Sequence, residues 1–448
     1  MSDRVAPHVI RYSQMTPLAF EGKQLAKFFF PTNQSTYTQN ANIIRILISS
    51  GSAFLDGGNS YLKATYTNTS TATQTFSNSF HSLIDRLRVV SASGMEVENI
   101  LSYNHLHGCL SDLLLSPELR LTRAQEGYGH VPAPTVGTAM ATADNTAVNI
   151  IAGVTASLAS IVTVDPYRLG CNEITLAPNA VCNIYIPLEL SQLVGANKKL
   201  IPLFLTGELQ LEITLAAYPC ASSDVTKAMT YSVSNVVYVG SMVEFSGSVN
   251  SALTQMTASS GLFLHSTCWS NQTVSLAAGQ SSFVNSERLK SVKSILLGFT
   301  NTAVANGSRV TNRVHNGIQS LQIKIGSDYY PQQPIVADST NALACGWYLN
   351  ETFKALSVYN DVTHSGLVNI YNFATSTAAS AVQVGRAVYG VDCDAFGKSD
   401  VESGVNTILS NPITVLMTGS AGSCDAHSYL LYDAIHQIKS DGSFVVVK

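Results

Sequence analysis

Three short stretches of the chain carry the residue types that metal binding or catalysis needs. The first is His105-Leu106-His107-Gly108-Cys109, since imidazole and thiolate are good zinc ligands. If this stretch is helical, His105 and Cys109 share a face and His107 points away, and no fourth ligand stands nearby to close a tetrahedral site. The ordinary expectation is a helix that turns Leu106 and Leu110 inward. The second stretch, Asp392 to Glu402, partly matches a calcium loop. Phe396 stands where the third oxygen ligand is needed and Ser403 where the closing Glu is needed, so a solvated loop is expected, its carboxylates able at most to collect a cation between subunits. The third, Ser423-Cys424-Asp425-Ala426-His427, holds nucleophile, acid and base types in five positions. A working triad needs them to converge in space beside an oxyanion hole, which adjacency does not supply. The chain has no G-x-S-x-G elbow, phosphate-binding loop or H-E-x-x-H helix. The sequence therefore predicts no enzyme, no cofactor and no metal site. Tyr329, Tyr330, Trp347 and Tyr348 could stack on sugars, but filling a core or an interdomain seam is the stronger expectation for large aromatic side chains.

Any such site would have to be positioned by β-strands. Period-two alternation dominates and is clearest at Glu208 to Leu215, where Leu209, Leu211, Ile213 and Leu215 share one face. The same pattern marks Ile44 to Ile48, Leu62 to Tyr66, Leu87 to Val89, Cys182 to Leu188 and Tyr231 to Val239. With Leu203-Phe204-Leu205 and the segment near Glu96 to Glu98, about eight strands precede residue 246. From Gly261 the count begins again, at Leu262 to His265, Ser294 to Leu297, Leu321 to Ile325, Val368 to Tyr371, Ala381 to Val391, Ile413 to Met417 and Tyr429 to Ile438. An Asp441-Gly442 turn then leads into a last strand, Phe444 to Val447. Two helices are expected at matching places: Leu106, Leu110, Leu113 and Leu114 form one face before Pro117, and Trp347, Leu349, Phe353 and Leu356 mark the other. The chain thus repeats itself at an offset of about 230 residues, as a duplicated domain would. The expectation is an all-β fold, two eight-stranded antiparallel jelly-roll sandwiches in tandem with short helices in loops. Residues 1–25 form an N-terminal arm, 26–245 the first jelly roll and 246–448 the second.

Length and composition agree with this division. At 448 residues the chain exceeds the size, about 250–300 residues, at which one core stops growing. Its charged fraction of 12% is about half the usual share, and Ser, Thr, Asn and Gln stand where Lys and Glu would be expected. Small neutral polar side chains lose little entropy when ordered, so such a surface suits burial between subunits. A net charge of −4 without any Lys/Arg cluster argues against sequence-specific nucleic-acid binding. The eight cysteines form no C-x-x-C pair and read as buried thiols; the N-terminus lacks the apolar core of a signal peptide, which fits a reducing compartment. Asn145 to Val164 carries no charge, but polar residues interrupt it too often for a membrane span, and a loop or strand pair is expected there.

Several phrases resemble double jelly-roll major capsid proteins, most closely those of Polinton-like viruses and virophages in the adenovirus hexon-like lineage. In the first half they are Phe28-Phe29-Phe30-Pro31, Phe54-Leu55-Asp56 with Ser60-Tyr61-Leu62-Lys63, Leu83 to Leu87 with Ser93-Gly94, and Ile100 to Asn104. In the second they are Leu321 to Pro331 and Tyr432 to His436 followed by Asp441-Gly442. The resemblance implies a homotrimer that forms a pseudo-hexagonal capsomer. Such capsomers tile an icosahedral virion capsid with neighbouring capsomers, vertex (penton) proteins and minor or cement proteins, in some cases around an internal membrane. It also implies synthesis inside the host cell and no enzyme activity. In the arm, Arg4, Arg11 and Lys23 are expected to face inward or to contact a neighbour. Two other classes compete: a β-rich sugar-binding adhesin or fibre protein, and an amidase-type enzyme on paired jelly rolls, which would need acidic residues converging in an interdomain cleft.

Overall fold

A computed structural model describes residues 22–76, 79–128, 174–196, 199–222, 229–301, 313–315, 317–336, 346–361, 364, 366–368, 373, 386–394, 403–408, 412–419 and 422–448. Eight principal strands form the first half: β1 (Gly22–Phe29), β2 (Ile43–Ile48), β3 (Phe54–Asn68), β4 (Ile84–Ser91), β5 (Glu96–Ile100), β6 (Val181–Ile186), β7 (Leu209–Leu215) and β8 (Tyr231–Phe245). They pair antiparallel in two sheets, ordered β1-β8-β3-β6 and β2-β7-β4-β5. The second half contributes β9 (Leu262–Leu276), β10 (Ser282–Asn285), β11 (Val292–Asn301), β12 (Ser320–Ile325), β13 (Asp328–Val336), β14 (Tyr389–Asp392), β15 (Ile413–Thr418) and β16 (Cys424–Ile438). Their orders are β9-β16-β11-β14 and β10-β15-β12-β13. Adding eight to each strand of the first half reproduces the second. In both, the first strand lies beside the last, as in a jelly roll.

The alternation read from the sequence is what closes each sandwich. On β7, Ile213 lies opposite Ile44 of β2 and Leu87 of β4, and Leu211 lies opposite Ile46 and Val89. All six side chains are buried, so one face of three strands forms an apolar layer in which each residue contributes roughly 1.5–3 kcal/mol. Between those rows Glu212 bridges Arg45 at 3.2 Å and Arg88 at 3.9 Å. The Asp441-Gly442 turn is present, with Gly442 at φ +78°, and Phe444–Val447 pairs with the end of β16.

Three expectations change. Residues 22–25 belong to β1, which pairs along its whole length with β8, so Lys23 lies in register with Glu244 and not in a free arm. Leu203-Phe204-Leu205 is not a strand but part of a helical turn, Leu203–Thr206. Its Leu205 carbonyl would lie 2.8 Å from a Cβ placed on Gly442, so the turn closes against the second half. Of the expected strand Val368 to Tyr371, residues 369–371 lie outside the described residues; the Val368 amide, with that of Leu367, donates to the Asp112 carbonyl. The halves are joined by a helix the sequence pattern does not reveal, α3 (Gly247–Ser260), which buries only Thr257 and stops at Gly261, φ +76°. Arg4, Arg11 and the Asn145 to Val164 segment lie outside the described residues. Among the described residues no helix is long and apolar enough to cross a membrane.

The other helices occupy matching places. The β4–β5 hairpin leads to α1 (Tyr103–Leu114) and then α2 (Pro117–Thr122); the β12–β13 hairpin leads to α4 (Gly346–Ala355). On α4 the buried residues are Tyr348, Leu349, Thr352 and Ala355, while Trp347 stays exposed. Helix α1 is buried from Tyr103 to Leu113, on every face, because it lies between the two sandwiches. It packs tightly on Gly298 of β11, where an added Cβ would fall 2.5 Å from His105 Cε1. Gly298→Ala is expected to lower unfolding free energy by about 1–3 kcal/mol. Gly51→Ala, with open space around it, should change little; chemical denaturation of the two variants makes the comparison.

Candidate functional site at the seam of the two sandwiches

The seam is organised by one carboxylate. Asp112, near the end of α1, is buried and accepts Arg120 Nη2 and Arg386 Nη1, each at 2.7 Å, on Oδ1. Its Oδ2 accepts Arg313 Nη2. Arg120 comes from α2, whereas Arg313 and Arg386 come from the second half, so a single side chain ties both sandwiches together. Burial alone would raise its pKa. Arg386, Arg313 and Arg120 overcome that penalty and hold the carboxyl well below its ordinary range. The backbone continues the link, with the amides of Leu367 and Val368 donating to the Asp112 carbonyl at 2.8 and 3.2 Å. Arg313 Nη1 also donates to Cys109 Sγ at 3.5 Å.

The remaining faces of α1 divide as the helical spacing requires. His105 and Cys109 point to the second half: His105 Nδ1 lies 2.7 Å from the Tyr429 hydroxyl, and its ring stacks on His427 at 4.3 Å. His107 points the other way, with Nε2 2.8 Å from Glu189 Oε1 and its ring stacked on His81 at 3.6 Å. Thus His105 and His107, two residues apart, are engaged on opposite sides, and burial raises the Cys109 thiol pKa. Neither His81 nor Glu189 was singled out from the sequence. They lie 26 residues before and 82 residues after His107, and only folding brings them to it.

The other chemical candidates separate. Along β16, Cys424, Ala426 and Ser428 are buried on one face, while Asp425 and His427 lie on the other, so the five-residue stretch makes no triad. Asp425 accepts a hydrogen bond from Ser275 at 2.5 Å, and His427 sits 3.1 Å from both Thr273 and Thr300 hydroxyls. Asp85, Asn104, His105, Asp425 and His427 do line a seam pocket of about 250 Å³. Desolvation there raises the Asp85 carboxyl pKa against the opposing pull of Arg86. Tyr348 is core, its hydroxyl donating to the Ile335 carbonyl at 2.8 Å; Tyr330 is partly buried, and Trp347 and Tyr329 are each 41% exposed. Of the Asp392 to Glu402 loop, residues 395–402 lie outside the described residues. Five of the cysteines are buried free thiols: Cys109, Cys220, Cys268, Cys393 and Cys424.

The paired jelly rolls have counterparts among solved structures. PBCV-1 VP54, fitted into a reconstruction of the virophage Sputnik, has a TM-score of 0.58 at 10% identity over 98% of this chain and 99% of that chain. The Faustovirus major capsid protein gives 0.57 at 9% identity over 96% and 92%. The Sputnik virophage structure at 3.5 Å resolution gives 0.55 at 14% identity over 100% and 92%. No protein-family model matches the sequence, and no curated protein does. At such identities the likeness defines the fold. This chain has the double jelly-roll architecture of the virophage and large-virus capsid proteins, as the resemblance in its sequence implied.

Two outcomes test the seam. Asp112→Asn leaves two buried guanidinium groups and a third, partly buried one without their carboxylate and is expected to cost about 3–5 kcal/mol, read by chemical denaturation. The second concerns pH. Burial drives His315, His427 and His436 down to about 4 in the folded state, from an ordinary 6.5. Between those values the unfolded chain binds more protons, so stability falls as pH drops from 6.5 towards 4 and levels off below it. Asp112 acts in the same direction, losing its contribution as pH falls below the ordinary 3.8. Thermal melting is therefore expected at a clearly lower temperature at about pH 5 than at about pH 7.

Proposed function

We propose that this chain is a major capsid protein, a structural subunit and not an enzyme, and that three copies form a pseudo-hexagonal capsomer in an icosahedral virion capsid. The observation that carries this reading is the twice-repeated strand order, locked at a buried seam into one block. Two similar lobes per chain become six in a ring of three, and a head-to-tail contact closes under threefold symmetry. The charge-poor composition supports extensive coverage by neighbours. Solvent-facing aromatic residues at a sheet edge, Phe28 on β1 and Phe30 beyond it, support it too. Edges such as β1, β5 and β13 would be covered within the assembly. Neighbouring capsomers, vertex proteins and minor or cement proteins are its proposed partners, with an internal membrane beneath in some shells. Arg4 and Arg11 are proposed to face inward; Lys23, on an edge strand, is proposed as a contact to a neighbour.

The seam pocket favours a second reading, an amidase-type enzyme, because it gathers Asp85 and Asp425 between the two sandwiches. Glycopeptide turnover by the purified protein, abolished in Asp85→Asn or Asp425→Asn, would establish it. On the capsid reading those variants assemble normally and wild type has no turnover. Light scattering is expected to give three times 47.8 kDa, with hexagonal particles in negative-stain images of concentrated protein. A clean monomer at low concentration would count against the trimer.

A further inference from the structure

On the face of α1 turned away from the seam lies a buried cluster that the capsid reading does not use. His81, in a 3-10 turn (Phe80–Leu83), has a fully buried side chain, and its Nε2 makes no hydrogen bond among the described residues. The nearest acid oxygen, Glu126 Oε2, is 3.7 Å away, beyond hydrogen-bonding range. Among the described residues His81 Nδ1 has only the Tyr103 hydroxyl, at 3.3 Å. An unmade hydrogen bond on a buried imidazole is unfavourable, and native structures rarely leave one without a role. Beside it, His107 Nε2 faces Glu189 Oε1 at 2.8 Å, and one ligand atom from each of His81, His107 and Glu189 lies within 4.8 Å of the other two. Burial keeps His107 unprotonated near neutral pH, the form of imidazole that binds metals.

Charge points the same way. Glu126 and Glu189 bring two negative charges, and Arg123, bonded to both, returns one. We propose that His81, His107 and Glu189 form a binding site for a zinc-class divalent ion, with a fourth position open to water on the solvent side of Glu189.

The donor set is two imidazoles and one carboxylate, which suits a borderline first-row ion better than calcium. Glu189 is 35% exposed and Arg123 22%, so an ion can enter along Glu189 while Arg123 swings outward. The two rings are within 4° of parallel, which aims their nitrogens side by side. Loading therefore requires one ring to tilt, and a tilting His81 gives up its stack on His107 and its contact to Tyr103. A bound ion would clamp the 3-10 turn, α1 and the segment around Glu189, stiffening the first sandwich beneath the seam helix. This inference does not depend on the capsid reading.

The test uses the full chain, stripped with chelator and then titrated with zinc or cobalt. One equivalent should bind per chain, the melting temperature should rise with zinc concentration, and cobalt should show visible ligand-field bands. His81→Phe keeps a stacked ring while deleting the orphan nitrogen, and Glu189→Gln alters a partly exposed group; each should weaken zinc binding about 10-fold or more. The proposal is overturned if wild type takes up no stoichiometric zinc. It is equally overturned if both variants bind zinc as wild type does, or if melting follows pH but not zinc, which would assign the orphan nitrogen to a proton.

Discussion

One buried carboxylate holds the molecule together. Asp112 is surrounded by three guanidinium groups, one from its own half and two from the other, and none of the four is stable at that depth without the others. A lone charge in a protein interior is unfavourable by several kcal/mol, so each arginine is placed by the need to reach the carboxylate. Relative placement of the two sandwiches follows from this. Hydrophobic contact alone is non-directional and would tolerate sliding, whereas hydrogen bonds from fixed guanidinium planes do not.

Around that point α1 is an organising helix for both halves. It belongs to the first sandwich by connectivity, yet His105 and Cys109 face Tyr429, His427 and Arg313 of the second. A side-chain hydrogen bond reinforces the same seam: Asn271 Nδ2 donates to the Leu101 carbonyl at 3.2 Å, just before the helix. Apolar packing is accordingly continuous through both halves, although every described strand pairs within its own. On the capsid reading proposed above, such a block suits a shell, in which the two lobes must stay joined.

Much of this was legible beforehand. Period-two alternation located most principal strands because a sandwich buries one face of each sheet, as at Leu209 to Leu215. Helical spacing in α1 separated His105 and Cys109 from His107 correctly, since that depends only on 3.6 residues per turn. Less legible was β1, where exposed Lys23 and Lys27 hide an edge strand whose identity comes from pairing with β8. Leu203 to Leu205 has strand-like composition but folds as a helical turn, because short apolar runs carry no period.

Local composition therefore determined the class of the protein: two β-sandwiches, repeated, with helices at equivalent points and a surface poor in charge. Those properties depend on neighbours within one turn or one pleat, and sequence order records such neighbours directly. Tertiary structure alone decided that Asp112 meets Arg313 and Arg386, that His81 stacks on His107 beside Glu189, and that Asp425 and His427 turn away from Cys424. The first two are contacts between residues tens to hundreds of positions apart, made by closing the fold, and the last needs the strand's pleat. In each case the chemistry belongs to the meeting of groups and to their burial, neither of which is a property of any one segment.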